Sequence, residues 1–233
     1  MNFDDFIFPK SLSSKLQWWL NNSTTVVSPI CFYGLPGSGK TTLASMLSMD
    51  YDARLILEEF SENPFLPKFY QEPEKYAFPL ELFFMAERYH QLKELKSQDL
   101  FQPNIVSDYF FVKSKLFAQN NLKQDELQLF NRLFDIMLSS LSKPDILLYL
   151  YSDVDRLQKN IKKRGREFEQ NISDEYLQNI QEKYLDFLKK QNDFPVLMLD
   201  VTDVDFVSDV SIYKKINELL KKKYELGVHK FVL

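Results

Sequence analysis

Residues 34–41 read Gly34-Leu35-Pro36-Gly37-Ser38-Gly39-Lys40-Thr41. This is the pattern G-x-x-x-x-G-K-[ST], a loop whose glycines let successive backbone N–H groups curl around phosphate oxygens. Its flanks agree with that reading. Ile30 to Tyr33 is an apolar run that predicts a buried strand entering the loop, and Leu43, Met46 and Leu47 predict an amphipathic helix leaving it. The start of that helix, with Thr42, adds partial positive charge. Lys40 is suited to bridging two phosphates and the Thr41 hydroxyl to ligating Mg²⁺. The chain has only five glycines, and three of them fall here. A fourth, Gly165, lies inside a basic run, so both stretches read as sites.

Outward from the loop, apolar runs alternate with helical spacing. Further strands are expected at Leu55 to Leu57, Ile105 to Val106, Ile146 to Tyr151 and Val196 to Val201. Helices are expected at about 79–96, 125–142, 153–163, 174–191 and 208–224, and the tail to Leu233 stays unassigned. Leu127, Phe130, Leu133, Phe134, Met137, Leu138 and Leu141 give the strongest helical stripe, which Pro144 stops. Short apolar strands between helices imply an α/β fold, a five-stranded parallel sheet covered by helices on both faces. Residues 1–28 read as an N-terminal extension with a short helical pattern at Leu12, Leu16, Trp19 and Leu20. Residues 29–233 read as one domain.

Composition narrows the classes of function. The 233 residues carry 29 basic and 33 acidic side chains, a net charge of −4, which argues against a protein that coats nucleic acid. Hydrophobic residues make up 45% and aromatic residues 15%, enough for a sizeable core and too much for disorder. One cysteine forms no internal disulfide and suits a reducing compartment. Cys31, His90 and His229 do not make a zinc site. No apolar run approaches the ~20 residues of a membrane span. The expectation is a cytoplasmic protein without a membrane partner.

Three further clusters carry chemistry. Glu58 and Asp108 end the second and third strands, and in a doubly wound sheet such ends converge on the loop. A carboxylate there accepts a proton from an attacking hydroxyl or holds the metal's water shell. Glu59 is the adjacent rival to Glu58, since alternate residues of a strand face opposite sides. Lys159, Lys162, Lys163, Arg164 and Arg166 surround Gly165, and Glu169 follows; a mobile loop closing over phosphates uses guanidinium forks in this way. Glu81 and Arg88 lie seven residues apart, on one face of a helix that also carries Phe84 and Met85. Two charges on an apolar stripe are costly unless paired or used on a ligand.

This ordered set resembles the deoxynucleoside kinase family, and in particular its bacterial deoxyguanosine/deoxyadenosine kinase branch. The set is the phosphate loop, Glu58 with Asn63-Pro64-Phe65-Leu66, Phe69-Tyr70, Glu81 with Arg88, Asp108-Tyr109, and Arg164-Gly165-Arg166 with Glu169. The resemblance implies the P-loop kinase fold with a basic lid, ATP as phosphate donor, Mg²⁺, a deoxynucleoside acceptor and a homodimer built through long helices. It implies Glu58 as base on the 5′-hydroxyl, with Lys40 and Arg88 at the reacting centre. Tyr70 and Glu169 would hold the sugar 3′-hydroxyl, and Glu81 and Arg88 would read the base. Gly34, Gly37, Ser38, Gly39, Lys40, Thr41, Thr42, Arg164 and Arg166 would grip the donor phosphates, with Asp203 to Phe206 against its adenine. Thr41, Glu58 and Asp108 would serve the metal.

The chain also departs from that pattern. Asp108-Tyr109-Phe110 stands where many members have an acid followed by Arg-Ser, and Asn160 where many lids have Arg, leaving Lys162 or Lys163 as its replacement. Many relatives have Gln where this chain has Glu81. A carboxylate only accepts hydrogen bonds, and guanine alone offers two adjacent donors on one edge. Deoxyguanosine is therefore the expected acceptor, with deoxyadenosine second. The rival readings are a nucleoside monophosphate kinase and a non-catalytic nucleotide-binding module.

Overall fold

The computed structural model describes residues 30–58, 63–93 and 104–233. The expected N-terminal extension and Glu59 lie outside them. Six strands form one sheet: β1 (Ile30–Tyr33), β2 (Arg54–Ile56), β3 (Ile105–Ser107), β4 (Ile146–Tyr151), β5 (Pro195–Asp200) and β6 (Gly227–Val232). Their order is β2-β3-β1-β4-β5-β6, and every neighbouring pair is parallel.

Both faces of the central strands are buried. Cys31 and Tyr33 of β1 and Leu147 and Tyr149 of β4 join one core, while Ile30, Phe32, Ile146 and Leu148 join the other. The register Ile30↔Ile146 through Tyr33↔Tyr149 keeps like faces together. A strand buried on both sides shows no polar alternation, which is why these segments read as continuous apolar runs.

The helices are α1 (Lys40–Asp50), α2 (Leu66–Gln71), α3 (Pro73–Lys93), α4 (Lys113–Asn121), α5 (Gln124–Leu138), α6 (Val154–Arg164), α7 (Asp174–Lys189) and α8 (Val210–Leu220). Helices α1 and α8 cover one face with Leu43, Leu47, Ile212 and Ile216. On the other, Met85, Leu116, Phe130, Phe134 and Tyr184 come from α3, α4, α5 and α7. Phe111 stacks on Phe134 at 4.9 Å, and Tyr33 meets Tyr184 at 4.3 Å. The chain leaves β1 for β2 and β3 on one side, then crosses from β3 to β4 on the other. The carboxyl ends beside β1 therefore open a crevice, where ligands of such sheets bind.

Three expectations change. The sheet has six strands, not five: the unassigned tail pairs with β5 from Pro195↔Gly227 to Asp200↔Val232. This edge strand is half exposed, and His229 and Lys230 interrupt its apolar character. Helix α3 begins at Pro73 and runs through Pro79. Pro73 suits a first helical turn, where its missing N–H is not needed. Two short helices, α2 and α4, were not anticipated; α2 holds too few residues for a spacing pattern to emerge, and α4 turns polar residues inward. Among the described residues, no helix is long and apolar enough to cross a membrane.

Candidate active site

The phosphate loop joins β1 to α1. Gly39 has φ +92°, and a Cβ there would meet the Phe206 ring at 2.8 Å, so backbone conformation and space both demand glycine. No side chain caps the start of α1, which leaves its first amides facing the hollow. Ser38 is buried, and its hydroxyl has no hydrogen-bond partner. Lys40 Nζ donates to the Leu35 carbonyl at 2.7 Å, across the loop's own mouth. Burial, helped by the nearby Lys113 charge, brings the Lys40 ammonium down to about 7, against the pull of Asp108 and Glu58.

Asp108 ties the crevice together. Its backbone N–H reaches the Ile56 carbonyl at 2.9 Å. Its carboxylate accepts from the Glu58 N–H at 2.8 Å and from the Thr41 hydroxyl at 2.8 Å. Glu58, just beyond β2, is clamped from two sides. Arg88 Nε and Nη2 donate to Oε1 at 2.8 and 2.6 Å, and Lys113 Nζ donates to Oε2 at 2.5 Å. Burial alone would raise its pKa, but these two cations outweigh it and hold the carboxyl well below the usual carboxylate range. Arg88 also donates to Ser114 Oγ at 2.7 Å and lies 5.0 Å over the Phe84 ring.

Glu81 sits deeper, 2% exposed. It does share a face with Arg88, but its hydrogen bond comes from Asn121 Nδ2, at 2.7 Å to Oε1. Asn121 also approaches the Tyr176 hydroxyl at 3.4 Å. Burial pushes the Glu81 carboxyl up to about 7, although Arg88 and the Asn121 bond oppose the shift. Tyr70 lines the same hollow. Burial and the carboxylates of Glu169 and Glu81 push its hydroxyl up to about 12.

The basic run ends α6. Gly165 caps that helix in the left-handed region, with its N–H on the Ile161 carbonyl at 3.2 Å. Glu169, nearly buried, holds both lid arginines: Arg164 on Oε2, and Arg166 on Oε1 at 3.2 Å.

Two hollows meet here. One is lined by Glu58, Tyr70, Glu81, Arg88, Asp108 and Glu169, the other by Gly37, Ser38, Gly39, Thr42 and Phe206. Lys40, Thr41, Arg164 and Arg166 belong to both walls. Of the remaining expected residues, Gly34 is buried at the end of β1, and Asp203 is exposed while its neighbour Asp205 lines the second hollow. Of the two candidate lid lysines, Lys163 lines that hollow and Lys162 does not. Asn160 donates to the Gly37 carbonyl at 2.8 Å, so it braces the loop. Sequence reasoning missed Lys113, Asn121, Tyr176 and Arg156. Lys113 had a usable signal: it is a charge set directly against the apolar run 109–112, an anomaly like the one that singled out Glu81 and Arg88.

Among the described residues, no three or more His, Cys, Asp or Glu side chains gather into a metal cluster. The hydroxyl of Thr41 and the carboxylate of Asp108 are hard oxygen donors, a set that fits Mg²⁺ when phosphate oxygens and water complete it.

A family model described as deoxynucleoside kinase matches residues 30–224. The deoxyguanosine kinase of Bacillus subtilis (strain 168) is 33% identical over 199 residues, covering 83% of this chain and 96% of that protein. A deoxyadenosine kinase of Lactobacillus acidophilus is 28% identical over 217 residues, covering 87% and 99%. The solved structure of a deoxyadenosine kinase from M. mycoides with bound dATP superposes with a TM-score of 0.70 at 25% identity, covering 82% of this chain and 98% of that one. Phosphotransfer, rather than passive nucleotide binding, is the chemistry this family performs. With its loop, its two hollows and its matched length, the chain belongs to the deoxynucleoside kinase family.

Proposed function

We propose that the protein transfers the γ-phosphoryl group of ATP to the 5′-hydroxyl of a purine deoxynucleoside, deoxyguanosine ahead of deoxyadenosine. The observation that carries the base preference is Glu81. Asn121 donates to its Oε1, and among the described residues no donor meets Oε2. Ionised, that oxygen accepts from the adjacent N1–H and 2-amino donors of guanine. A base without them leaves a buried acceptor unpaired, which penalises it. Relatives named for deoxyguanosine and for deoxyadenosine are consistent with a purine acceptor.

In this reading the amides of the loop, Lys40 and the lid arginines neutralise the donor phosphates. Tyr70 and Glu169 receive the sugar 3′-hydroxyl. Thr41 and Asp108 would hold Mg²⁺, which would offset the negative charge of the donor phosphates. Glu58 orients the 5′-hydroxyl and takes its proton as the O5′–P bond forms and the bond to the β-phosphate oxygen breaks, releasing ADP. Such transition states are loose, so positioning does most of the work. The hollow holding Phe206, Asp205 and Lys163 would take the donor base and ribose. The protein acts in nucleoside salvage in the cytoplasm, on this reading.

The test is a panel of deoxynucleosides and nucleoside monophosphates incubated with ATP and Mg²⁺. Deoxyguanosine is expected to give the highest kcat/KM and deoxyadenosine the next. A preference for thymidine or deoxycytidine overturns the assignment of Glu81, and phosphorylation of monophosphates alone overturns the acceptor class.

A further inference from the structure

Lys113 opens α4 with its side chain folded inward, and the residue is 9% exposed. Burying an ammonium beside aromatic rings is costly unless a specific partner receives it. Its partner is Glu58 Oε2, at 2.5 Å, and its charge lies 5.4 Å from the Phe117 ring centroid. Arg88 spends both of its contacts to Glu58 on the other oxygen, Oε1. A carboxylate gripped at one oxygen still turns about that contact. Gripped at both, its plane is fixed.

No other described cation fills this place. Position 109, next after Asp108, turns away: the Tyr109 ring is fully buried and its hydroxyl donates to Gln91 at 2.6 Å. The Ser107 hydroxyl, bonded to the Tyr109 carbonyl at 2.8 Å, secures that turn. Lys40 also points elsewhere, to the Leu35 carbonyl. Lys113 lines the hollow that holds Glu58, Asp108 and Glu81 and is not on the wall of the other one, so its charge acts on the acceptor side.

We propose that Lys113 is a positioning residue, which fixes the plane of the Glu58 carboxylate against the acceptor hydroxyl while Arg88 grips the opposite oxygen. This rests on the reading of Glu58 as the base. The groups that face Glu58 are Lys40 from α1, Arg88 and Glu81 from α3, Asp108 and Tyr109 beyond β3, Lys113 from α4 and Tyr184 from α7. Of these, Lys113 and Arg88 touch its side-chain oxygens.

The test compares wild type, K113Q and K113R in steady-state kinetics at pH 8, with thermal melts as a check on folding. K113Q is expected to lower kcat by roughly 10- to 100-fold, in the range seen when an outer partner of a reacting group is lost. KM for ATP should stay within about threefold, as the donor hollow is untouched. K113R, which keeps a charged donor for the second oxygen, should recover most of the turnover. An unchanged kcat in K113Q overturns the inference, and so does a loss that K113R fails to repair, which marks a merely structural lysine. If K113Q does not fold, K113R decides: restored kcat with an unchanged KM for ATP supports the role, and kcat still lost in folded K113R overturns it. Wild-type enzyme that phosphorylates no nucleoside sinks the base assignment itself, a result separable from an indifferent K113Q.

Discussion

Glu58, half-buried, and Glu81, fully buried, are carboxyls on one wall, and their surroundings drive them in opposite directions. Two cations hold Glu58 ionised, which makes it a weak base. That suits a loose phosphoryl transfer, in which the hydroxyl needs aiming more than deprotonating. Glu58→Gln keeps the shape and loses the charge. It is expected to lower kcat by roughly 10²–10⁴-fold, with a smaller change in ATP binding, as for a positioned base; turnover at the wild-type rate would remove Glu58 from that role. Glu81 has a hydrogen-bonding neighbour rather than an ion-paired one, and burial leaves it titrating at about 7. Arg88, Lys113, Glu58, Asn121, Tyr70 and Tyr176 surround it. Above that pH it is ionised and only accepts, which favours guanine. Below it, the carboxyl also donates, which suits adenine. Between pH 6 and pH 8 the ionised fraction of such a group rises roughly tenfold. The ratio of kcat/KM for deoxyguanosine over deoxyadenosine should climb with it, and a flat or falling ratio contradicts the assignment. In Glu81→Gln the pH dependence of that ratio should vanish.

At the scale of elements, sequence patterns carried some segments and hid others, for physical reasons. The strand into the phosphate loop, α6 and α7 were legible because their apolar residues recur at helical spacing or form unbroken runs. Helix α4 was hidden because its inward face includes Lys113 and Ser114, polar residues used on the site rather than on the core. Strand β6 was hidden because an edge strand needs polar residues on its open side. The start of α3 was misplaced because Pro79 mimics a first turn, while Pro73 occupies the real one. At the site, the reading found the residues whose type announces their chemistry. It could not find Asn121 or Arg156, whose roles depend on which elements lie alongside. Gly165 is a case in between. Its place among basic residues suggested a mobile loop closing over phosphates, and its geometry makes it the left-handed cap of α6, at φ +74° with open space around it. Gly165→Ala therefore meets only backbone strain, of about 1 kcal/mol. Tm is expected to fall by about 2–4 °C for a chain of this size. A melt showing no change, or a gain, would mean that the lid's backbone relaxes out of that conformation.

Across the whole molecule, the parallel sheet explains why so few residues suffice for the site. Every strand points its carboxyl end the same way, so loops from β1, β2 and β3 bring Lys40, Glu58 and Asp108 together without any long excursion. The same sheet sets helices on its outer faces, and α5 carries two exposed apolar residues on one outward face. The stripe of Leu127, Phe130, Leu133, Phe134, Met137, Leu138 and Leu141 packs inward on the core. Leu129 and Ile136 point outward instead, 51% and 69% exposed. They lie seven residues apart, two turns on one face. A twofold axis near Arg132 and Leu133 would set Leu129 of one copy against Ile136 of the other, twice over, so the patch complements itself. A homodimer through α5 is the assembly this predicts. Light scattering on the eluting protein should then give twice 27.7 kDa, and a variant carrying both Leu129→Lys and Ile136→Lys should give 27.7 kDa with an unchanged circular dichroism spectrum. Four like charges brought together at that seam would outweigh the apolar gain. Wild-type protein running as a monomer, or a double variant that still elutes at the doubled mass, would place the dimer contact elsewhere or remove it.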